Sequence, residues 1–157
     1  MGFMKVVILA GGYGTRMEEY TKTIPKPMIT INNTPILMKI ISHYNKYGYQ
    51  NFYIAMGYKY EFIIKYFKKN FVEIKNKNLK NKDRRNSFFY DPIKNCKFNL
   101  IYTGLNTMTG GRIKRLKNFL NEENFMLTYG DGLSNVNISK LLKFHKDKKK
   151  LVTLTAV

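Results

Sequence analysis

The chain has 157 residues, 44% of them hydrophobic, and a formal net charge of +18 at pH 7. That length and apolar content suit one domain with a real core. No apolar run approaches a membrane span, the short N-terminal run ends in glycines rather than a cleavage site, and Cys96 as the only cysteine excludes a disulfide frame and a cysteine-based zinc site, so the expected location is cytoplasmic.

Val6–Ala10 reads as a continuous apolar strand, the kind buried on both faces of a parallel sheet. Thr34-Pro35 then predicts a helix opening, with Thr as cap and Pro in the first turn, and Ile36, Leu37, Ile40, Ile41 and Tyr44 on one apolar face. Gly48 follows where a helix end is due. Phe52–Met56 is a second buried strand, and Glu61–Lys69 a second helix with Phe62, Ile63, Tyr66 and Phe67 inward. The polar stretch 72–95 carries no clear period. Lys97–Tyr102 reads as a strand, Arg112–Leu120 as a short basic helix, and Phe125–Tyr129 as a strand ending at Gly130-Asp131-Gly132. Asn137 caps a helix carrying Ile138, Leu141, Leu142 and His145, and Leu151–Val157 is a final β-rich strand. Alternating strands and helices imply an α/β sandwich with a mostly parallel sheet.

The charge is mostly lysine, and the favoured reading is lysine on solvated faces and at helix ends rather than a polyanion surface. The densest basic run, Lys75 to Arg85, reads as a surface insert. Basic residues are dispersed and no RNA or DNA motif occurs, so no nucleic-acid partner is expected. His43 and His145 sit on helix faces and read as structural, and the methionines read as packing.

In open α/β sheets ligands sit beyond the carboxyl ends of the strands. Gly11, Gly12 and Gly14 follow the first strand, where glycines let bare N–H groups approach a phosphate. The spacing is neither a P-loop, which ends in Gly-Lys-Ser/Thr, nor a dinucleotide loop, because Arg16 and Met17 stand where its third glycine is due. On the glycines alone, a tight turn with no ligand stays open. Arg16 adds a planar fork of donors, and Lys26 a point charge held between Pro25 and Pro27. A stiffened cation facing a glycine cradle suits a polyphosphate.

These residues, Gly11-Gly12-Tyr13-Gly14-Thr15-Arg16 with Pro25-Lys26-Pro27, resemble the sugar-phosphate nucleotidyltransferases. The segments "IPKPMITI", "NTPILMKII", "AMGYKYEFIIKYF", "TGLNTMTGGRIKRL" and "FMLTYGDGLSNVNI" are most similar to the glucose-1-phosphate cytidylyltransferase branch. The resemblance implies a Rossmann-like three-layer sandwich with a mostly parallel, mixed sheet. It also implies a nucleotide-binding domain over residues 1–157, incomplete at the C-terminus, because family members run on to the sugar-binding part and a second metal-binding aspartate. A further departure is Ile24 before Pro25, where the branch often has a lysine.

The reaction implied is nucleotidyl transfer from CTP to a sugar 1-phosphate, giving a CDP-sugar and pyrophosphate. By resemblance the Leu9, Ala10, Gly11, Gly12, Tyr13 and Gly14 backbone and Thr15 hold the nucleotide. Arg16 lies on the leaving phosphates, Lys26 neutralises the reacting ones, and Asp131 binds Mg²⁺. Thr107 and Arg112 match nucleotide-contacting positions; Arg112 as a helix-face cation beside Lys114 and Arg115 is the other reading. Gly57 is a further candidate for a backbone approach to the base. A homo-oligomer is expected. Alternatives are another nucleotide, a non-sugar phosphate, a nucleic-acid-binding module, or an inactive nucleotide-binding fragment.

Overall fold

The computed structural model describes residues 4–14, 23–75, 83–120 and 124–156. Thr15 and Arg16, and most of the basic run from Lys75 to Arg85, lie outside them.

Six strands form one mixed sheet in the order β5-β6-β7-β4-β1-β8. They are β1 (Lys5–Ala10), β4 (Asn51–Met56), β5 (Val72–Glu73), β6 (Ser87–Asp91), β7 (Cys96–Tyr102) and β8 (Phe125–Tyr129). β7, β4, β1 and β8 run parallel, and β5 and β6 are antiparallel additions at one edge. The register sets Leu9 beside Ala55 on one side and Tyr129 on the other, so the four parallel strands end together.

Alternation along these strands feeds two cores. Val6, Ile8, Phe52, Ile54, Phe98 and Leu100 point to one face. They pack under helix α1 (Ile36–Asn45) and helix α2 (Tyr60–Asn70), with Ile138 from α5 (Ile138–Lys148) alongside. Val7, Leu9, Tyr53, Ala55 and Ile101 point to the other, beneath α3 (Thr109–Arg115) and α4 (Lys117–Leu120). Helices therefore cover both faces, as the α/β sandwich requires. In α1 the buried residues Leu37, Ile40, Ile41 and Tyr44 follow a helical stripe. Phe67 of α2 meets Phe89 and Phe98 at ring-centroid distances of 5.7 and 5.1 Å. Truncating such a buried ring costs roughly 3–5 kcal/mol.

Several expectations need correction. Helix α1 opens where expected, at Ile36, but its cap position is Pro35, with no side-chain cap hydrogen bond, and not Thr34. The Thr34-Pro35 pair has a second role. It forms a short strand, β3 (Thr34–Pro35), paired with β2 (Thr30–Ile31). Asn32 and Asn33 supply the turn with φ of 50° and 59°, the left-handed values a two-residue hairpin needs. Phe62 does not face inward but is 44% exposed, since the stripe of α2 runs through Ile63 and Phe67. The helix expected at 112–120 starts earlier, at Thr109, and breaks at Leu116 into α3 and α4. Strands β5 and β6 arise in the stretch that showed no period. The strand expected at Leu151–Val157 is absent from residues 151–156, where Leu151 and Leu154 are almost wholly exposed. Its β-rich composition has no neighbouring strand to complete the backbone hydrogen bonds. Asn137 does cap α5, its side chain accepting from the Lys140 N–H at 2.9 Å.

Candidate active site at the carboxyl edge of the sheet

The parallel strands end in loops at one edge of the sheet, and those after β1, β7 and β8 reach one cavity, while Gly57 after β4 lies behind its wall, close to Arg112 and Gly11. β1 runs into Gly11–Gly14, β4 into Gly57, β7 into 103–108, and β8 into Gly130-Asp131. The loops after β1, β7 and β8 border an open cavity of about 570 Å³. Its wall includes Leu9, Ala10, Gly11, Gly12, Tyr13 and Gly14 from the first loop. Lys26, Thr107, Arg112 and Asp131 also line it, with Leu105 and Asn106 beside them. The described candidates other than Gly57 thus converge on one cavity of the size small ligands use; Gly57 does not border it.

The glycines of the first loop serve different ends. A Cβ on Gly11 would fall 2.2 Å from Arg112 Nη1 and 2.8 Å from the Gly57 nitrogen, so Gly11 is small to admit a neighbouring side chain. A Cβ on Gly12 would meet nothing within 4 Å, which leaves open space for a ligand. Gly14 has φ of 69°, a left-handed conformation that other residues adopt only at a cost. Beyond them Tyr13 packs against Tyr58, with ring centroids 5.1 Å apart, and its hydroxyl donates to Asn106 Oδ1 across the cavity mouth.

Lys26 opens a 3-10 turn, Lys26–Met28, after Pro25 in extended conformation. Pro25 and Pro27 are buried, and Lys26 is only partly so. A Cβ on Gly130 would lie 3.1 Å from Pro27 Cγ and 3.0 Å from the Leu9 oxygen. The Gly130 N–H donates to that same oxygen at 2.9 Å. Pro27 therefore seats against the bare backbone of Gly130, and this seating brings Lys26 to Asp131. Their charged groups pair at 2.7 Å, with side-chain exposures of 28% and 32%. The second proline thus fixes where the lysine stands as well as stiffening its backbone.

Arg112 is not the helix-face cation that its neighbours Lys114 and Arg115 suggest. It is 4% exposed. Nη2 donates to the Gly11 carbonyl at 2.7 Å and the Leu105 carbonyl at 3.3 Å. Nη1 donates to Thr103 Oγ1 and the Gly104 carbonyl, both at 2.8 Å, and to the Met56 carbonyl at 3.2 Å. Burial, with the nearby Arg115 cation, lowers its pKa from the ordinary value. The ring of carbonyl dipoles stands in for the water it has lost. Gly57 shares this arrangement, since a Cβ there would lie 2.5 Å from Arg112 Nη1 and 2.6 Å from the Gly11 oxygen. Thr107 accepts from Arg115 Nη1, which also donates to the Thr103 carbonyl.

The sequence reading missed Thr103, Gly104, Asn106 and Arg115. A Thr-Gly pair directly after a parallel strand was the available signal, and Gly104 takes φ of 94° there. The histidines stand as structural groups: His43 Nε2 donates to the Val136 carbonyl at 2.9 Å, and His145 Nδ1 lies 2.8 Å from Thr153 Oγ1.

The model of the family described as "Nucleotidyl transferase" matches residues 5–157. The chain is 39% identical over 154 residues to the glucose-1-phosphate cytidylyltransferase of Salmonella typhimurium, covering 98% of this chain and 60% of that protein. It is 36% identical over 138 residues to the D-glycero-alpha-D-manno-heptose 1-phosphate guanylyltransferase of Campylobacter jejuni, covering 88% of this chain and 52% of that one. Among solved structures, HddC from Yersinia pseudotuberculosis, complexed with GMP-PN, superimposes with a TM-score of 0.67 at 27% identity, over 92% of this chain and 55% of that one. The chain thus spans little more than half the length of these relatives. With the family match running along nearly all of it, on a fold those structures share, the chain belongs to the nucleotidyl transferase family.

Proposed function

We propose that residues 1–157 form the nucleotide-holding part of a protein that transfers a cytidylyl group from CTP to a sugar 1-phosphate, glucose 1-phosphate by preference. The observation that carries this reading is the meeting of the glycine loop, Lys26 and Asp131 around one cavity at the carboxyl edge of the sheet. The 39% identity to a glucose-1-phosphate cytidylyltransferase supports the choice of CTP and of the sugar.

In this reading a phosphate oxygen of the sugar 1-phosphate attacks the α-phosphorus of CTP. The new P–O bond forms as the α–β bridge breaks, and pyrophosphate leaves with the electron pair. No covalent nucleophile on the protein is required; positioning and charge neutralisation supply the catalysis. The open face of Gly12 admits a phosphate, and Lys26 offsets the charge gathering on the reacting oxygens. Thr15 and Arg16 are assigned the nucleotide and its leaving phosphates, as the family pattern implies.

The residues present fit Mg²⁺ in one respect. Asp131 borders the cavity and gives one carboxylate, and a magnesium ion on a triphosphate takes one or two, completing its shell with phosphates and water. Among the described residues no group of three or more His, Cys, Asp or Glu side chains could hold a metal alone. Bound there, the ion would neutralise phosphate charge and orient the triphosphate. A cytoplasmic setting belongs to the same proposal.

The test is calorimetric titration of the chain with CTP, UTP and GTP in the presence of Mg²⁺. Tightest binding of CTP is expected. Preference for GTP would move the reading to the guanylyltransferase side that the Campylobacter relative represents, and binding of none would end it.

A further inference from the structure

We infer that Arg112 is a positioning residue that aims the backbone donors of two loops at the ligand. The inference rests on the nucleotide-binding reading of the cavity and assigns how the cavity's donors are held.

The argument is one of peptide geometry. In a trans peptide the C=O of one residue and the N–H of the next point in opposite directions. Arg112 Nη2 holds the Gly11 carbonyl at 2.7 Å, and the Tyr58 N–H donates to the same oxygen at 3.1 Å. That oxygen is pinned toward the protein, so the Gly12 N–H is turned the other way, on the side where Gly12 borders the cavity. The same guanidinium holds the Gly104 and Leu105 carbonyls, at 2.8 and 3.3 Å. The N–H groups of Leu105 and Asn106 are turned away from it in consequence, and both residues border the cavity. Among the described residues, nothing accepts a hydrogen bond from the Gly12, Leu105 or Asn106 N–H. A set of unpaired N–H groups held in fixed directions is what an anionic or carbonyl-rich ligand binds.

The surroundings are built for the guanidinium. Gly11 and Gly57 lack the Cβ atoms that would strike Nη1, and Thr103 sets it through Oγ1 at 2.8 Å. Both terminal nitrogens are engaged on protein oxygens. Only a flat, forked cation reaches carbonyls on both loops at once; an ammonium is a single point of charge and cannot bridge them.

The test uses the ¹⁵N-labelled 157-residue chain as wild type, Arg112→Lys and Thr103→Val. The second variant loosens the guanidinium without touching the cavity wall. Two quantities are read: the ligand-free amide resonances of Gly12, Leu105 and Asn106, and affinity for Mg²⁺–CTP, with UTP and GTP in parallel. In Arg112→Lys the three amides are expected to move before any ligand is added, and affinity to fall at least tenfold. Thr103→Val should show the same signs, smaller. A folded Arg112→Lys chain with those amides in their wild-type positions overturns the inference, including when affinity falls, since Arg112 would then touch the ligand directly. Moved amides with unchanged affinity overturn it too. Should Arg112→Lys fail to fold, Thr103→Val decides on the same readings. Should the wild type bind none of the three nucleotides, the proposed function fails and the amide positions alone decide the role of Arg112.

Discussion

Lys26 and Asp131 face each other across 2.7 Å at the rim of the cavity, brought together by Pro27 resting on Gly130. A pair this exposed contributes little to stability, on the order of 0–1 kcal/mol. Its value lies in what each charge does when a polyphosphate arrives. Lys26→Ala is expected to leave the melting midpoint nearly unchanged. In the whole protein it should lower turnover by about 10²-fold or more, as removal of other electrostatic donors does. Asp131→Asn should keep the fold and lose most of the Mg²⁺ dependence of CTP binding. Calorimetry with and without Mg²⁺ reads the second effect, and unchanged Mg²⁺ dependence would leave Asp131 as a turn residue only.

Gly12 and Gly57 should respond oppositely to alanine. At Gly57 the new methyl would meet the Gly11 and Gly104 oxygens at 2.6 and 2.8 Å, atoms of the backbone that cannot swing aside. Gly57→Ala is expected to destabilise the chain by roughly 1–3 kcal/mol. At Gly12 the methyl enters open space, so Gly12→Ala should melt as the wild type does while binding nucleotide more weakly. Urea denaturation and calorimetry on the two variants separate the effects. Equal stability losses would mean that the glycine loop is uniformly tight and Gly12 is not held open for a ligand.

Cys96 gives a pH prediction. It is fully buried, and burial, reinforced by the nearby Asp91 charge, pushes its thiol up to about 11 from an ordinary 9.0. The folded chain keeps this proton over a range where the unfolded chain has released it. The thiol's contribution to stability is therefore intact below about 9 and declines as pH rises toward about 11. Native Cys96 should react with a thiol reagent at pH 8 far more slowly than in urea. Comparable rates would show that the site opens readily. In Cys96→Ala, the alkaline loss of stability should be shallower.

Among the described residues strand β8 ends the sheet with one neighbour, β1, and Leu127 and Tyr129 are 41% and 58% exposed. An open edge with apolar side chains invites pairing with another chain. The 157-residue chain is expected to associate as its concentration rises, and Leu127→Lys to reduce this. Sedimentation velocity over a concentration series measures it. A monomer at all concentrations would remove β8 as an association surface.

The parts of the fold that were legible are those whose physics is local. β1 and β4 are buried within a parallel sheet, and such strands read as unbroken apolar runs; β8 (Phe125–Tyr129) showed the same local run though it lies at the sheet's edge and is partly exposed. The face of α1 follows from the spacing of Leu37, Ile40, Ile41 and Tyr44. The hairpin at Asn32-Asn33 was missed because the Thr-Pro pair beside it looks like a helix start, and only the left-handed backbone at both asparagines decides otherwise. In the cavity, Lys26 and Asp131 stood out because prolines and glycines bracket them. Arg112 was a candidate by resemblance only, because an arginine among lysines on a basic helix otherwise looks solvated. Its burial depends on space left by Gly11 and Gly57, distant in sequence, and on carbonyls that no residue type announces.

The reach of Arg112 also sets an order of assembly. Its bonds to the Gly11 and Met56 carbonyls close loops of 101 and 56 residues, and each such contact carries the entropy cost of closing the chain between its ends. During synthesis the glycine loop leaves the ribosome before α3, and it has no clamp until α3 has followed and docked. The glycine loop thus takes its working shape only once a segment far along the chain has been made, and a nascent chain ending before residue 112 carries the glycines without the grip that aims them.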